Sequence, residues 1–337
     1  MKKLLIIKLG ALGDVVRTLP IAQALKKKYP DSEISWITKK ESLPIVKGCK
    51  EVDRVYSLPF DQDVIYDVLY NFDLEEEATS LAMKIPAREK KGFYSQDKYP
   101  AAFNAGSEYY LNTLFDDELK KNNRKTYQQM MFEAADLEYA QEHFGMTLSQ
   151  KEKNYAQKFQ ESNQLSNKKL IGIHIGASKR WPSKVWHEDR ITEFINKVRQ
   201  KDYEVLLLGG PQEIDKLNNL SEELKKKKIT VYQNDPLNTA EEFASLVDLC
   251  DTMICSDSFA IHIALALKKP VIGLFFVTSP HEIEGYGLLH KVISPRLDEF
   301  FPQRSDEYDE ELTKSISAEE VISLLDKIKT NKKPFKR

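Results

Sequence analysis

Short apolar runs recur along the chain, and between them lie longer stretches in which apolar positions return every three or four residues. Runs at 4–9, 33–38, 52–58 and 67–72 predict buried strands, and the amphipathic stretch 15–29 predicts a helix between the first two. The pattern turns helical at 78–85 and again at 116–139, with 92–94 a further short strand or loop. A second series of strand-like runs occupies 170–175, 205–208, 229–232, 252–255, 271–276 and 292–294. Strands that alternate with helices in this way predict parallel sheets with crossover helices, in two separate α/β layers.

Between the two series, residues 149–169 are rich in Lys, Gln, Asn and Ser, which predicts a solvated helix followed by a linker and a boundary near residue 160. The expected division is therefore a domain of residues 1–160 that includes the inter-domain helix, a second of 161–312, and a terminal helix and tail of 313–337. The terminal helix, 317–328, opens with a Ser-x-x-Glu capping box at Ser317 and Glu320. Beyond it, Lys332, Lys333, Lys336 and Arg337 predict a disordered basic tail, with peripheral contact at the inner face of the cytoplasmic membrane as the alternative.

Composition narrows the class. A chain of 337 residues with 41% hydrophobic and 30% charged side chains has the make-up of a folded globular protein. The formal net charge of −2 provides no footprint for nucleic acid. No apolar stretch approaches the roughly 20 residues needed to span a bilayer. The first apolar run is broken at Lys8 and continues into a glycine turn, so it reads as a strand and not a signal peptide. Cys49, Cys250 and Cys255 form no C-x-x-C pair and no even framework, which predicts buried thiols in a reducing, cytoplasmic setting. The six histidines show no ligand spacing, so no bound metal and no cofactor are expected.

Candidate chemistry lies where strands end. In 171–182, IGIHIGASKRWP, a strand delivers Gly176, Ser178 and Lys179, which offer backbone N–H groups, a hydroxyl and a positive charge to an anion. In 255–262, CSDSFAIH, a strand runs through Asp257 and Ser258 into a helix whose N-terminus suits the same anion. Two such ends in one half of the chain suggest a diphosphate. Near the start, Gly10-x-x-Gly13 followed by Asp14 is not a dinucleotide-type Gly-x-Gly-x-x-Gly, but it places Asp14 at the carboxyl end of the first strand. Gly209 and Gly210 mark another strand-to-turn passage where a ligand can approach closely, with Glu213 available to sugar hydroxyls. Each has a plainer reading: Asp14, Asp257 or Ser258 as a helix cap, His262 as a core histidine, Glu213 as an exposed surface residue.

In order along the chain, Gly13-Asp14 with the helix to Pro20, His174-Ile-Gly-Ala-Ser-Lys-Arg-Trp-Pro182, Gly209-Gly-Pro-x-Glu213 and Asp257-Ser-Phe-Ala-Ile-His262 resemble glycosyltransferase family 9, the ADP-heptose:lipopolysaccharide heptosyltransferases. The resemblance covers nearly the whole chain. It implies a GT-B architecture: two Rossmann-like domains with parallel sheets facing across a cleft, acceptor on the N-terminal side and nucleotide-sugar on the C-terminal side. It implies inverting, metal-independent transfer of a sugar from an ADP-linked donor, heptose above all, to a lipopolysaccharide-core or related glycan or glycolipid acceptor. Carried over by position, Asp14 matches the general base, Lys179 the phosphate-binding lysine, and Asp257 with His262 the donor motif. Ser258 stands where the family has threonine, and Phe259 where it has glycine.

The expected donor-binding set is thus Gly13, Gly176, Ser178, Gly209, Gly210, Glu213, Asn238, Asp257, Ser258, Phe259, Ala260 and His262, with Asp257 facing sugar hydroxyls or helix amides. Arg17 and Arg124 are the expected acceptor contacts. Arg124 belongs with Lys120, Lys121 and Lys125 to a charge run that also reads as a solvated helix face. The alternatives are a nucleotide-sugar-binding protein without transfer activity, or a GT-B enzyme using another nucleotide-sugar.

Overall fold

The computed structural model describes residues 1–330, so the basic cluster Lys332, Lys333, Lys336 and Arg337 lies outside the described residues. The chain divides into two compact units, Met1–Met146 with His281–Glu284, and Thr147–Pro280 with the chain from Gly285 onward. The polar helix Gln150–Ser162, opened by a Ser149/Glu152 capping box, goes with the second unit: its Ala156 is buried, and Tyr155 accepts a hydrogen bond from Asn238.

The first unit contains β1 (Lys3–Ile7), β2 (Glu33–Thr38), β3 (Arg54–Ser57), β4 (Tyr66–Asn71), β5 (Ala87–Gln96) and β6 (Tyr99–Ala102), in the spatial order β3-β2-β1-β4-β5-β6. Pairing is parallel from β3 through β5 and antiparallel between β5 and β6. Central strands with helices on both faces have no solvent side, which is why β1 reads as a continuous apolar run and is buried from Leu4 to Ile7.

The predicted helix 15–29 is two helices, Leu12–Thr18 and Pro20–Lys28, because Pro20 lacks an N–H and starts a new first turn. The predicted helix 116–139 is likewise Asp117–Asn122 and Tyr127–Ala134. Each has its own start signal, Asp116 accepting from Leu119 N and a Thr126/Gln129 capping box. Residues 92–94 lie inside a ten-residue strand that turns back through Asp97 and Lys98, both at positive φ, as a two-residue hairpin requires. Gly92, at φ 89°, backs onto Asn71 so closely that an added Cβ would lie 1.9 Å from its carbonyl oxygen.

The second unit contains β7 (Lys169–His174), β8 (Tyr203–Leu208), β9 (Tyr232–Gln233), β10 (Thr252–Ser256), β11 (Val271–Phe275) and β12 (Leu289–Ile293), all parallel, in the order β12-β11-β10-β7-β8-β9. The run predicted at 229–232 contributes only its last residue to β9. Ile171, Ile173, Ile254 and Ile272 of the sheet pack with Phe194, Leu220 and Val321 in one core. The three cysteines are free and buried, and burial pushes the thiols of Cys49 and Cys250 up to about 12. Among the described residues no helix is long and apolar enough to cross a membrane.

Counted within its own unit, each sheet runs 3-2-1-4-5-6, the Rossmann order, so chain direction reverses between β1 and β4 and again between β7 and β10. Open α/β sheets bind ligands outside the carboxyl ends of strands at that reversal. Of the four polar strand ends picked out by sequence, three leave β1, β7 and β10 at these reversals, and the Gly209–Gly210 turn leaves β8 beside β7.

Candidate functional site

In the first unit, β1 delivers Lys8 into the interior, where it is 4% exposed. Its Nζ donates to Asp73 Oδ1 at 2.6 Å and to the Phe72 carbonyl at 2.9 Å. Burial alone would lower the Lys8 pKa, but the Asp73 carboxylate, with Tyr127, Asp14 and Tyr110 nearby, holds it well above the usual lysine value. The other Asp73 oxygen accepts from Leu9 N and from Gly10 N, so β4's extension fixes the turn that leads into the helix Leu12–Thr18.

Asp14 sits in the first turn of that helix and is not its cap; the N-cap is Ala11. Its side chain is 37% exposed and pairs through Oδ1 with Arg17 Nη2 at 2.7 Å. Arg17 in turn lies over Tyr127, 3.7 Å from guanidinium carbon to ring centroid, and Tyr127 OH lies 3.1 Å from Thr18 Oγ1. The carboxylate is therefore held by a guanidinium that itself sits over an aromatic ring, and it remains partly exposed.

In the second unit, β7 ends at His174 and continues through Gly176 into a loop on which Ser178, Lys179 and Arg180 are all exposed. Trp181 N donates to the Ser178 carbonyl and Arg180 N to Ser178 Oγ, which folds the loop into a tight turn. His174 is half-buried beside the Phe243 ring, and desolvation with the nearby Lys216 charge pushes its pKa down to about 4. Ser258 Oγ lies 3.3 Å from His174 Nδ1, so the carboxyl ends of β7 and β10 are joined by a side-chain contact.

Ser258 is the N-cap residue of the helix Phe259–Ala266 by position, yet its side chain does not cap it. Capping, the plainer reading of this serine, is thus set aside. A helix N-terminus without a side-chain cap leaves its amides to another acceptor. Ala260 and His262 are buried in the helix. Phe259 is half-buried with its ring 5.7 Å from Phe243, packed on the unit's own aromatic cluster.

Glu213 is no ordinary surface glutamate. Its carboxylate accepts from Gly210 N at 2.9 Å and lies against Gly176, where an added Cβ would come within 2.6 Å of the carboxyl carbon. Gly209 exchanges both backbone bonds with the buried Asn234 amide, and Asn234 reaches Asn238, which bonds to Tyr155. Asn238 is thus held in a polar chain behind the Gly209–Gly210 turn.

Gly13 is buried in the helix Leu12–Thr18 beside Asp14, in the first unit and not with the remaining donor set. Arg124 is exposed and donates to the Lys121 and Asn123 carbonyls at a helix end, while Lys125 pairs with Glu133. Sequence reasoning passed over three residues: Lys8, Asp73 and Lys184. Lys8 left a signal, the one charge inside the apolar run 4–9. Asp73 and Lys184 left none, because their partners are distant in sequence: Lys8 is 65 residues from Asp73, and Asp257, 3.0 Å from Lys184 Nζ, follows a strand that becomes a neighbour only in the folded sheet. Asp257, expected to face sugar hydroxyls or helix amides, has this buried lysine against it.

Two units of Rossmann order, each with polar residues at its sheet reversal, place the chain among α/β proteins whose strand ends are built to bind ligands. The family model described as glycosyltransferase family 9 (heptosyltransferase) matches residues 64–309, and the chain belongs to that family: it is a glycosyltransferase with the paired α/β units of the GT-B fold. It is similar to lipopolysaccharide heptosyltransferase 1 of Campylobacter coli, 22% identical over 86% of this chain and 89% of that protein. Lipopolysaccharide heptosyltransferase 3 of Escherichia coli K12 is 24% identical over 79% of this chain and 80% of its own length. Among solved structures, a family 9 glycosyltransferase from Veillonella parvula superposes with a TM-score of 0.76 at 17% identity, covering 97% of each chain. The ADP-heptose lipopolysaccharide heptosyltransferase II of E. coli does so at 0.66 and 18%, covering 98% of this chain and 100% of that one.

Proposed function

We propose that this glycosyltransferase moves heptose from ADP-heptose to a lipopolysaccharide-core acceptor, with inversion and without a metal. The observation that carries the reading is Asp14: a partly exposed carboxylate at the carboxyl end of β1, not used as a cap and braced by Arg17 over Tyr127. The names of the relatives supply the donor and acceptor classes. Gly13, beside Asp14, falls on the acceptor side of this reading.

In this reading the acceptor hydroxyl oxygen attacks the anomeric carbon from the face opposite the diphosphate. Its proton passes to Asp14, and the bond from the anomeric carbon to the phosphate oxygen breaks with its electron pair leaving on ADP. Negative charge grows on the leaving diphosphate. Lys179 on the loop after β7 and the N-terminal amides of Phe259–Ala266 supply positive charge to it, the role a divalent cation plays in other sugar transferases. The first unit takes the acceptor and the second the nucleotide-sugar. Arg17, given to the acceptor by sequence, serves here as the support of the base. A lipid-anchored acceptor places the reaction at the inner face of the cytoplasmic membrane.

The test is nucleotide release and product analysis with ADP-heptose, GDP-sugars and UDP-sugars, with and without EDTA. Release from ADP-heptose alone, unaffected by EDTA, and a product of inverted anomeric configuration are expected. Retention of configuration, a need for Mg²⁺ or Mn²⁺, or preference for a GDP- or UDP-sugar would each overturn the corresponding part.

A further inference from the structure

Asp257 directly precedes Ser258, the residue that opens the helix Phe259–Ala266, so its carboxylate stands at the helix end that a diphosphate would use. A carboxylate at that point repels phosphate and offsets the attraction of the helix amides. Lys184 answers it. Its Nζ lies 3.0 Å from Asp257 Oδ2, with the two side chains 10% and 19% exposed, and 5.0 Å from the centroid of the Trp181 ring.

The backbone that carries Lys184 is fixed on both sides. Ser183, fully buried, donates its hydroxyl to the Glu307 carbonyl and accepts from Asp309 N, both at 2.8 Å. Trp186 donates Nε1 to the Ile316 carbonyl at 2.9 Å, and Lys184 N itself bonds to the Trp181 carbonyl. A rigid turn therefore delivers an ammonium group to one carboxylate oxygen. A buried lysine is costly unless its charge is paired, so the pairing fixes Asp257 as much as it satisfies Lys184.

We propose that Lys184 is a positioning residue of the donor site: it neutralises and holds Asp257, so that the pole the diphosphate meets carries the helix amides and Lys179 with no net negative side chain. The inference rests on reading this helix end as the diphosphate site. It differs from a purely structural ion pair, in which loss of either partner does the same damage. It also differs from direct phosphate binding by Lys184, in which Asp257 is irrelevant to the loss.

ADP, which lacks the sugar that Asp257 would otherwise contact, separates these by calorimetric titration of the wild type, K184M, D257N and K184M/D257N, with a thermal melt of each to confirm folding. The expected pattern is about tenfold weaker ADP binding in K184M, binding in D257N as tight as wild type or tighter, and recovery in K184M/D257N to within about threefold of wild type. Should K184M alone fail to fold, D257N and the double variant carry the same contrast. Unchanged affinity in K184M, or an equal loss in D257N, or no recovery in the double variant, overturns the proposal. Those failures leave the diphosphate reading intact because the wild type still binds ADP; a wild type that does not bind ADP overturns both.

Discussion

At the scale of single residues, the site separates side chains that hold geometry from those left to react. Asp73 is buried and spends both oxygens on Lys8, Leu9 N and Gly10 N, whereas Asp14 pairs with Arg17 and remains partly exposed. Replacing Asp14 with Asn keeps the shape and removes the base. Turnover should fall by ~10²–10⁴-fold while ADP affinity and unfolding midpoint stay near wild type. A variant that loses about 1 kcal/mol of stability but keeps its rate would make Asp14 a first-turn helix residue and nothing more. His174 gives a second test, through pH. Its pKa falls from 6.5 to about 4 on folding because burial and the Lys216 charge disfavour the imidazolium. The unfolded chain therefore binds the extra proton first, and His174's contribution, complete above pH 6.5, is lost as pH falls towards 4. The urea midpoint should drop between pH 7.5 and pH 5 in the wild type and drop less in H174Q; parallel declines would show that the loss comes from other groups.

At the scale of elements, the helix Phe259–Ala266 shows how a departure from a family pattern is absorbed. The Phe259 ring packs towards Phe243, which itself meets His174 edge-on at 5.9 Å, so the benzyl group belongs to the wall behind the helix start. Phe259→Gly should cost about 2 kcal/mol, since the ring is half-buried and glycine loosens the first turn, and should leave donor choice unchanged. An equally stable variant that accepts a bulkier nucleotide-sugar would put the ring in the donor pocket instead. The elements also show what the sequence could and could not tell. Strand 33–38 is observed residue for residue, because β-formers such as Ile34, Trp36 and Ile37 are concentrated in one short run, which is buried from Ile34 to Thr38. The antiparallel β6, carrying Tyr99 at 75% exposure, left no such run and was not foreseen. The helix break at Pro20 was legible in principle, since proline at a first turn is a start signal, but the amphipathic period continues across it. Of the site, the strand-end motifs were legible because they are local. The Lys184–Asp257 and Lys8–Asp73 pairs depend on which strands become neighbours, and periodicity does not give strand order.

At the scale of the whole molecule, the same sheet order occurs twice, each time with polar chemistry at the reversal, yet the two ends are of opposite character. The first presents a braced carboxylate; the second presents an exposed lysine and a helix N-terminus whose flanking carboxylate is met by a buried lysine. The formal net charge of −2 hides that contrast, because it averages over the chain. Binding free energy should therefore be distributed unevenly. A ligand that binds one folded unit stabilises that unit by RT ln(1 + [L]/Kd), about 2.7 kcal/mol at one hundred times Kd. A chain of two compact units need not unfold in one step, so the effect can be read locally. With ADP at that concentration, hydrogen exchange should slow at the amides of 175–181 and 257–261 and in the strands β7 and β10 behind them. The amides of 9–14, after β1, should exchange as in the free protein. Equal protection at 9–14 would place the nucleotide against the first unit as well and would remove the division of donor and acceptor between the two sheets.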